Sequence, residues 1–120
     1  VNPSSRSDEM EILKMGRHYY IDNNLLAVGR NRSENSRIEQ VALDSDLLIK
    51  VTNRPGPTGL LRLYTNTTED GIKLAASIVA RYSDAKQEPL ANIKIYNRQA
   101  DILQTFTVKP LEPSHVPPTI

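Results

Sequence analysis

The amino-acid sequence predicts an α+β domain, a mostly antiparallel or mixed sheet with two helices packed on one face. Most short apolar-rich segments alternate at period two or are continuously apolar, as in strands, whereas two segments repeat at helical spacing. A length of 120 residues is typical of a single domain, and an apolar fraction of 38% is enough for one hydrophobic core. With no Trp and one Phe, that core must be aliphatic.

Seven segments are predicted as strands, in the order β-β-β-α-β-β-α-β-β. Each is short and bounded by turn or breaker residues, such as Asp22-Asn23-Asn24. The run Leu47-Leu48-Ile49 is apolar at successive positions, which predicts a central strand buried on both faces. The last two strands alternate and should pair with each other. The predicted strands are residues 11–15, 18–21, 25–28, 47–51, 60–64, 91–96 and 103–108.

Two helices are predicted, over about residues 32–43 and 68–82. In the first, Ile38, Val41 and Ala42 form a narrow apolar stripe. The second has apolar residues at i, i+3, i+4, i+7 and i+8, and its alanines predict close packing against the sheet. Thr67 and Asp70 have the spacing of a capping box at its start.

The termini differ in composition from the rest of the chain. Residues 1–9 are predicted to be a flexible leader and residues 10–109 a single domain. Residues 110–120 hold four of the eight prolines and should be an extended tail outside the fold. Because the sequence does not begin with Met, we expect a piece of a longer protein.

Composition argues against a membrane, metal, cofactor or catalytic role. There is no Cys, hence no disulfide, thiolate zinc site or thiol nucleophile, which is compatible with a cytoplasmic location. No segment approaches the length of a membrane span. P-loop and Rossmann glycine patterns are absent, and His18 and His115 are far apart in the chain. Paired carboxylates such as Glu69-Asp70 are typical of helix capping.

The remaining candidates for a functional site are arginines that lie beside glycines, asparagines and prolines. The net charge is only +1, so nucleic-acid binding would need a local patch. Arg30 and Arg32 flank Asn31, which has capping-box spacing to Glu34, and a helix N-terminus there favours phosphate. The alternative is purely structural, with Gly29 making a tight turn and Asn31 capping the helix.

Two further segments each allow two interpretations. Pro55-Gly56-Pro57 is a rigid turn between Arg54 and Arg62, and it is either a fixed binding platform or a device that sets strand register. Tyr82 lies at the end of the second predicted helix, where it either packs or stacks on a base. Arg81 and Lys86, on either side of it, suit the helix macrodipole.

Five segments, taken in order, resemble the RNA-binding domain of the NFACT class. They are GRHYYID, LLAVGRNRSENSRI, DSDLLIKVTNRPGPTGLLR, TTEDGIKLAASIVARYSDAK and NIKIYN, and the resemblance spans residues 16–96. The same domain is appended C-terminally to proteins similar to tRNA thiolation enzymes of the ATP-pyrophosphatase type, such as 4-thiouridine synthase-like or 2-thiouridylase-like proteins.

The resemblance carries over residue by residue. The family's Val-Gly-Arg-Asn and following Asn correspond to residues 28–31 and Asn35. The Pro-Gly-Ser-His turn of the NFACT class is Pro-Gly-Pro-Thr here, ending at Thr58, and Pro-Gly-Pro is the pattern of the thiolation-like branch. The basic residue that ends the next strand is Arg62, and the alanine-rich helix is residues 75–83.

Together the residues and the resemblance imply a non-catalytic RNA-binding accessory domain, most suited to tRNA, in a larger tRNA-modification protein. Its partners would be RNA and the rest of its own chain. The rival is a protein-interaction or architectural domain that orients the catalytic domain of that protein, and oligomeric state is left open. The candidate RNA contacts are Arg17, His18, Arg30, Asn31, Arg32, Asn35, Arg54, Pro55, Gly56, Pro57, Thr58, Arg62, Arg81, Tyr82 and Lys86.

Overall fold

The structure, a computed structural model, describes residues 11–117. In this part of the chain six strands form one antiparallel sheet in the order β1-β2-β4-β3-β5-β6. The α+β prediction is therefore confirmed. The elements are β1 (Arg17–Ile21), β2 (Asn24–Val28), α1 (Arg32–Val41), β3 (Leu47–Val51), β4 (Gly59–Arg62), α2 (Glu69–Arg81), β5 (Ala91–Tyr96), β6 (Ile102–Val108) and a 3-10 helix (Pro113–His115).

The strand order follows the prediction with one exception. Residues 11–13, predicted as part of a first strand, are helical. Ile12 and Met15 are buried while Leu13 is 44% exposed, so the buried positions are three apart, which is a helical spacing. β3 is an interior strand, and β5 pairs with β6, as predicted.

Two apolar cores lie on opposite faces of the sheet. Leu26 and Ile49 belong to the core under α2, whereas their neighbours Leu25 and Leu48 belong to the core under α1, which contributes Ile38. Because successive side chains of a strand point to opposite faces, the two helices sandwich the sheet. The prediction that both helices pack on one face is wrong, because β2, β3 and β4 have apolar residues on both faces.

Side-chain caps begin both helices. Asn31 Oδ1 accepts the Glu34 N–H of α1 at 2.9 Å, as the sequence predicts. In α2 the cap is Thr68, whose Oγ1 accepts the Gly71 N–H at 3.0 Å, one residue later than the predicted box at Thr67. Among the described residues no helix has both the length and the apolar character needed to cross a membrane.

The segment after β6 folds back onto α2. Pro110 is buried, and the Leu111 N–H donates to Ser77 O at 3.2 Å. Leu111 and Val116 pack against the core under α2. The prediction of an extended tail outside the fold is therefore wrong for residues 110–117, since apolar side chains alternate with the prolines. The predicted flexible leader, residues 1–9, lies outside the described residues.

A buried ion pair ties the end of β4 to the start of β3. Arg62 donates from Nε and Nη2 to the two carboxylate oxygens of Asp46, at 3.0 and 2.6 Å, and both residues are at most 4% exposed. Asp46 Oδ2 also accepts the Leu43 N–H at 2.8 Å, which fixes the loop after α1. The Asp46 carboxylate is thus paired and hydrogen-bonded away from water, and Arg62 uses Nε and Nη2 in the pair while its buried Nη1 has no partner among the described residues.

Replacement of Arg62 by Met should destabilise the protein by about 3–5 kcal/mol, because it leaves Asp46 buried without its counter-charge. The matched control is Arg54→Met, which breaks an ion pair to Glu88 whose Arg side chain is 51% exposed. That variant should lose less than about 1 kcal/mol. Urea denaturation of both variants measures the difference, and equal losses would contradict the assigned role of Arg62.

Candidate nucleic-acid interface

A cleft of about 610 Å³ lies at one end of the sheet, between the start of α1, the end of α2 and the turn that joins β3 to β4. These elements meet there because the last residue of β2 and the first residues of β1 and β4 lie at the same end of the antiparallel sheet. The lining residues are Arg17, Gly29, Arg30, Asn31, Arg32, Asn35, Ser36, Glu39, Lys50, Pro55, Gly56, Pro57 and Tyr82.

The proline turn is held from both sides by hydrogen bonds. The Thr58 N–H donates to Asn35 Oδ1 at 3.0 Å, and Thr58 O accepts the Gly29 N–H at 3.0 Å. On the other side Pro55 O accepts the Asp84 N–H at 2.8 Å, just after α2. The turn is therefore fixed relative to both helices, and this rigidity is what both interpretations of Pro55-Gly56-Pro57 assume.

Two glycines allow these close approaches. A Cβ on Gly29 would collide with Asn35 Oδ1, and a Cβ on Gly56 would collide with Ser83 Cβ. In both cases the neighbouring element occupies the space that a side chain would need. The glycines of the Val-Gly-Arg-Asn and Pro-Gly-Pro segments are thus explained by packing between the turn and each helix.

Arg17 lies on an aromatic pair at the wall of the cleft. Its guanidinium carbon is 4.5 Å from the centre of the Tyr82 ring. The Tyr82 hydroxyl is 2.7 Å from the Tyr19 hydroxyl, and burial together with this hydrogen bond raises the pKa of Tyr19. The anchored ring holds Arg17 in place by a cation–π contact. Tyr82 therefore packs, as one of its two interpretations requires, and it positions a cation beside the cleft.

Arg30 is exposed but already paired. It donates from Nε and Nη2 to the Glu34 carboxylate at 3.0 and 2.8 Å, and its backbone N–H donates to the same group at 2.9 Å. The side-chain hydrogen bond to Arg30 lowers the pKa of Glu34 to about 2. The pair therefore stays ionised throughout the neutral range.

The positive charges of Arg32 and Lys50 are less neutralised by carboxylates than that of Arg30. Arg32 is exposed, and it makes no ion pair or hydrogen bond within residues 11–117. Lys50 Nζ is 3.8 Å from Glu39 Oε1, a loose contact between two half-exposed side chains. Four cations line the cleft, with Glu39 in the lining and Glu34 beside it, so positive charge predominates.

Six of the predicted residues lie elsewhere. Arg62 is buried in its pair with Asp46, which removes it from the candidate interface. His18 Nε2 is 3.0 Å from Ile12 O, and Arg54 Nη2 is 2.7 Å from Glu88 Oε1. Thr58 is fully buried beneath the turn. Arg81 and Lys86 are not among the residues that line the cleft.

Four lining residues are absent from the predicted contacts: Gly29, which the sequence predicted only as a tight turn, and Ser36, Glu39 and Lys50. Ser36 and Glu39 lie on α1 beside residues that were predicted, so their positions follow once the helix is placed. Lys50 is the single charged residue of β3, the strand LLIKV. A charge inside an otherwise apolar strand is the signal that could have identified it.

Comparison with known proteins assigns the family. Residues 16–118 match the NFACT protein RNA binding domain. The chain therefore belongs to the NFACT RNA-binding domain family, and the match includes most of the segment after β6 that packs on α2. None of the curated proteins is a significant match.

One solved structure supports the fold. The C-terminal of the fibronectin/fibrinogen-binding protein from Streptococcus suis is similar with a TM-score of 0.71 and 16% sequence identity. The likeness covers 82% of this chain and 46% of that one, so the present chain spans less than half of its length. At this identity the comparison shows a shared fold.

Replacement of Asn35 by Ala should loosen the proline turn, because the Thr58 N–H loses its acceptor in a partly buried position. A loss of about 1–3 kcal/mol is expected for such an unsatisfied donor. Hydrogen exchange at the Thr58 amide should accelerate. Ser36→Ala, at the exposed next position, is the control. Equal exchange rates of the Thr58 amide in both variants would show that the Asn35 side chain does not hold the turn.

The Arg30–Glu34 pair predicts a specific pH dependence. A lowered folded-state pKa contributes stability that is complete above the ordinary pKa of Glu and is lost as pH falls towards 2. The gap in unfolding free energy between wild type and Glu34→Gln should therefore narrow between about pH 5 and about pH 2. Urea denaturation across this range measures it.

Arg30→Gln is the partner control for that experiment. It removes the guanidinium, the largest cause of the lowered Glu34 pKa, while the backbone N–H groups of residues 30 and 16 remain, so it should reduce the same pH-dependent contribution. A gap that stays constant with pH, or an Arg30→Gln protein with unchanged pH dependence, would count against the pair.

Proposed function

We propose that this chain is an RNA-binding accessory domain that contacts tRNA through the cleft at the end of its sheet. The observation on which the proposal rests is the presence of two cations, Arg17 and Arg32, in the cleft. Both line the cleft, and neither is neutralised by a carboxylate among residues 11–117. The family match supports an RNA partner.

The phosphate contacts would form at the start of α1. Backbone N–H groups of a helix N-terminus attract anions, and Arg32 and Arg30 flank this one. Arg30 can exchange one oxygen of Glu34 for a phosphate oxygen while it keeps the other, since its side chain is half exposed. Asn31 and Asn35 use their side-chain oxygens within the fold, and their role is to shape the site.

The base contact would form on Arg17. A planar guanidinium that lies on Tyr82 can present its opposite face to an unstacked base, as arginines do in RNA recognition. Tyr82 then acts through Arg17 and not by direct stacking. The exposed Pro55 and the half-buried Gly56 form the facing wall, whose fixed position costs little entropy on binding.

The longer protein is also part of the proposal. Pro-Gly-Pro at residues 55–57 favours the branch of the family that is appended to tRNA thiolation-like proteins. In that arrangement this domain, which includes the segment after β6, would deliver cytoplasmic tRNA to a catalytic domain elsewhere in the chain. The sequence upstream of Val1 tests this directly, because a Ser- and Gly-rich ATP-pyrophosphatase loop is expected there.

Binding of tRNA, measured by fluorescence anisotropy at two salt concentrations, should be modest and should weaken as salt increases. Arg17→Gln and Arg32→Gln should each weaken binding severalfold, and loss of a phosphate contact should reduce the salt slope by about 0.7–0.9. Arg54→Gln, outside the cleft, is the matched control.

Two results would refute the proposal. One is the absence of wild-type binding at low salt, which would favour the architectural alternative. The other is equal binding by Arg17→Gln, Arg32→Gln and Arg54→Gln. A single-stranded RNA of random sequence that binds as tightly as tRNA would refute the preference for tRNA alone.

A further inference from the structure

The sheet face under α1 extends beyond that helix, and its extension is polar. α1 packs on the β4 side of the sheet, where its core contains Leu48 and Leu60. Further along the same face β3, β5 and β6 present Lys50, Lys94 and a group of hydroxyl and amide side chains. The residues of this lysine–threonine face are Lys50, Asn92, Lys94, Thr105 and Thr107, all exposed or half-buried.

Strand register brings the two lysines together. Lys50 and Lys94 are directly opposite each other in the antiparallel pair of β3 and β5. Like charges at such positions repel, which is unfavourable for folding. Lys50 is offset only by Glu39 at 3.8 Å.

Lys94 makes no ion pair in the described part of the chain. Its Nζ lies 4.7 Å from the centre of the Tyr96 ring. Burial and the nearby Glu39 carboxylate raise the pKa of Tyr96 to about 12, so the ring is neutral at physiological pH. The cation–π contact fixes Lys94 on the face and leaves its positive charge in place.

Neutral hydrogen-bonding groups surround the lysines. Thr105 is opposite Lys94, and Thr107 is opposite Asn92, across β5 and β6. A shallow depression of about 370 Å³ lies beside them, lined by Thr52, Asn92, Ile93, Thr105, Phe106 and Thr107. No carboxylate is among these residues. Cations with hydroxyls and amides provide the chemistry that contacts phosphate and sugar oxygens.

The face is also continuous with the cleft. Lys50 lines the cleft and is the cross-strand neighbour of Lys94, about one strand spacing (~4.8 Å) further along the sheet. An RNA strand that leaves the cleft past Lys50 therefore meets Lys94 next.

We propose that the lysine–threonine face is a second contact surface, which binds the sugar–phosphate backbone of the RNA strand that leaves the cleft. This inference rests on the proposed function, since the cleft supplies the first contact. The face has cations and short polar side chains, and the Tyr96 ring under Lys94 is buried, so no aromatic ring of this face can stack on a base. The face would therefore contact the RNA backbone and not the bases.

RNA length separates the two surfaces experimentally. Single strands of about 4 and about 16 nucleotides cover the range of site sizes of small single-strand-binding domains. The test variant is Lys94→Gln, and the matched control is Lys73→Gln, an exposed lysine of α2 on the other side of the sheet. Thr105→Val with Thr107→Val is a second, charge-neutral variant.

Lys94→Gln should weaken binding of the long strand severalfold and reduce its salt slope by about 0.7, the value for one single-strand phosphate contact. Binding of the short strand should be unchanged. The double threonine variant should weaken the long strand without a change in salt slope. Urea midpoints near that of wild type show that the variants are folded.

The outcomes distinguish this inference from the proposed function. If Arg17→Gln weakens both strands while Lys94→Gln and the threonine variant match Lys73→Gln, the second surface is refuted and the cleft stands. Equal weakening of both lengths by Lys94→Gln would place Lys94 in the cleft and also refute the extension. A wild-type protein that binds tRNA but neither single strand would refute the second surface and leave the cleft, whereas one that binds neither tRNA nor either strand would overturn both proposals.

Discussion

The hydrogen bond from the Thr58 N–H to Asn35 Oδ1 joins the parts on which the candidate interface depends. It connects the first turn of α1 to the proline turn, which is in turn tied to the end of α2 through Pro55 O. The bond can form only because Gly29 leaves room for the Asn35 side chain. Without it, the proline turn would be joined to the segment before α1 only by the hydrogen bond from the Gly29 N–H to Thr58 O, and the shape of the cleft would be less firmly fixed.

The two helices lie on opposite faces of the sheet, and the hydrogen bonds of the proline turn connect both of them. The N-terminus of α1 and the C-terminus of α2 lie at the same end of the sheet, on opposite faces. The N-terminus attracts anions, and the C-terminus favours the cation Arg17 near Tyr82. A rigid turn between them keeps these groups at constant separation, so the RNA binding that we propose would require little reorganisation.

The arginines serve three different physical purposes, which their sequence neighbourhoods do not distinguish. Arg62 is buried and pairs with Asp46, sixteen residues earlier in the chain. Arg30 is exposed but satisfied by Glu34, four residues later. Arg17 lies on Tyr82 and makes no ion pair with a carboxylate among residues 11–117. The sequence identified all three as cationic candidates, and only the folded environment separated the structural from the available ones.

The sequence by itself determined what depends on neighbours a few residues away. The Asn31 cap, the turn at Asp22-Asn23, the period of each strand and the rigidity of Pro55-Gly56-Pro57 are local properties, and each was predictable. Tertiary structure decided the face on which each helix packs, the burial of Arg62, the return of residues 110–117 onto α2 and the Lys50–Lys94 pair. These features depend on contacts between distant segments. Strand register is among them, because a one-residue shift would move every side chain of a strand to the other face, and only packing of the folded sheet excludes that shift.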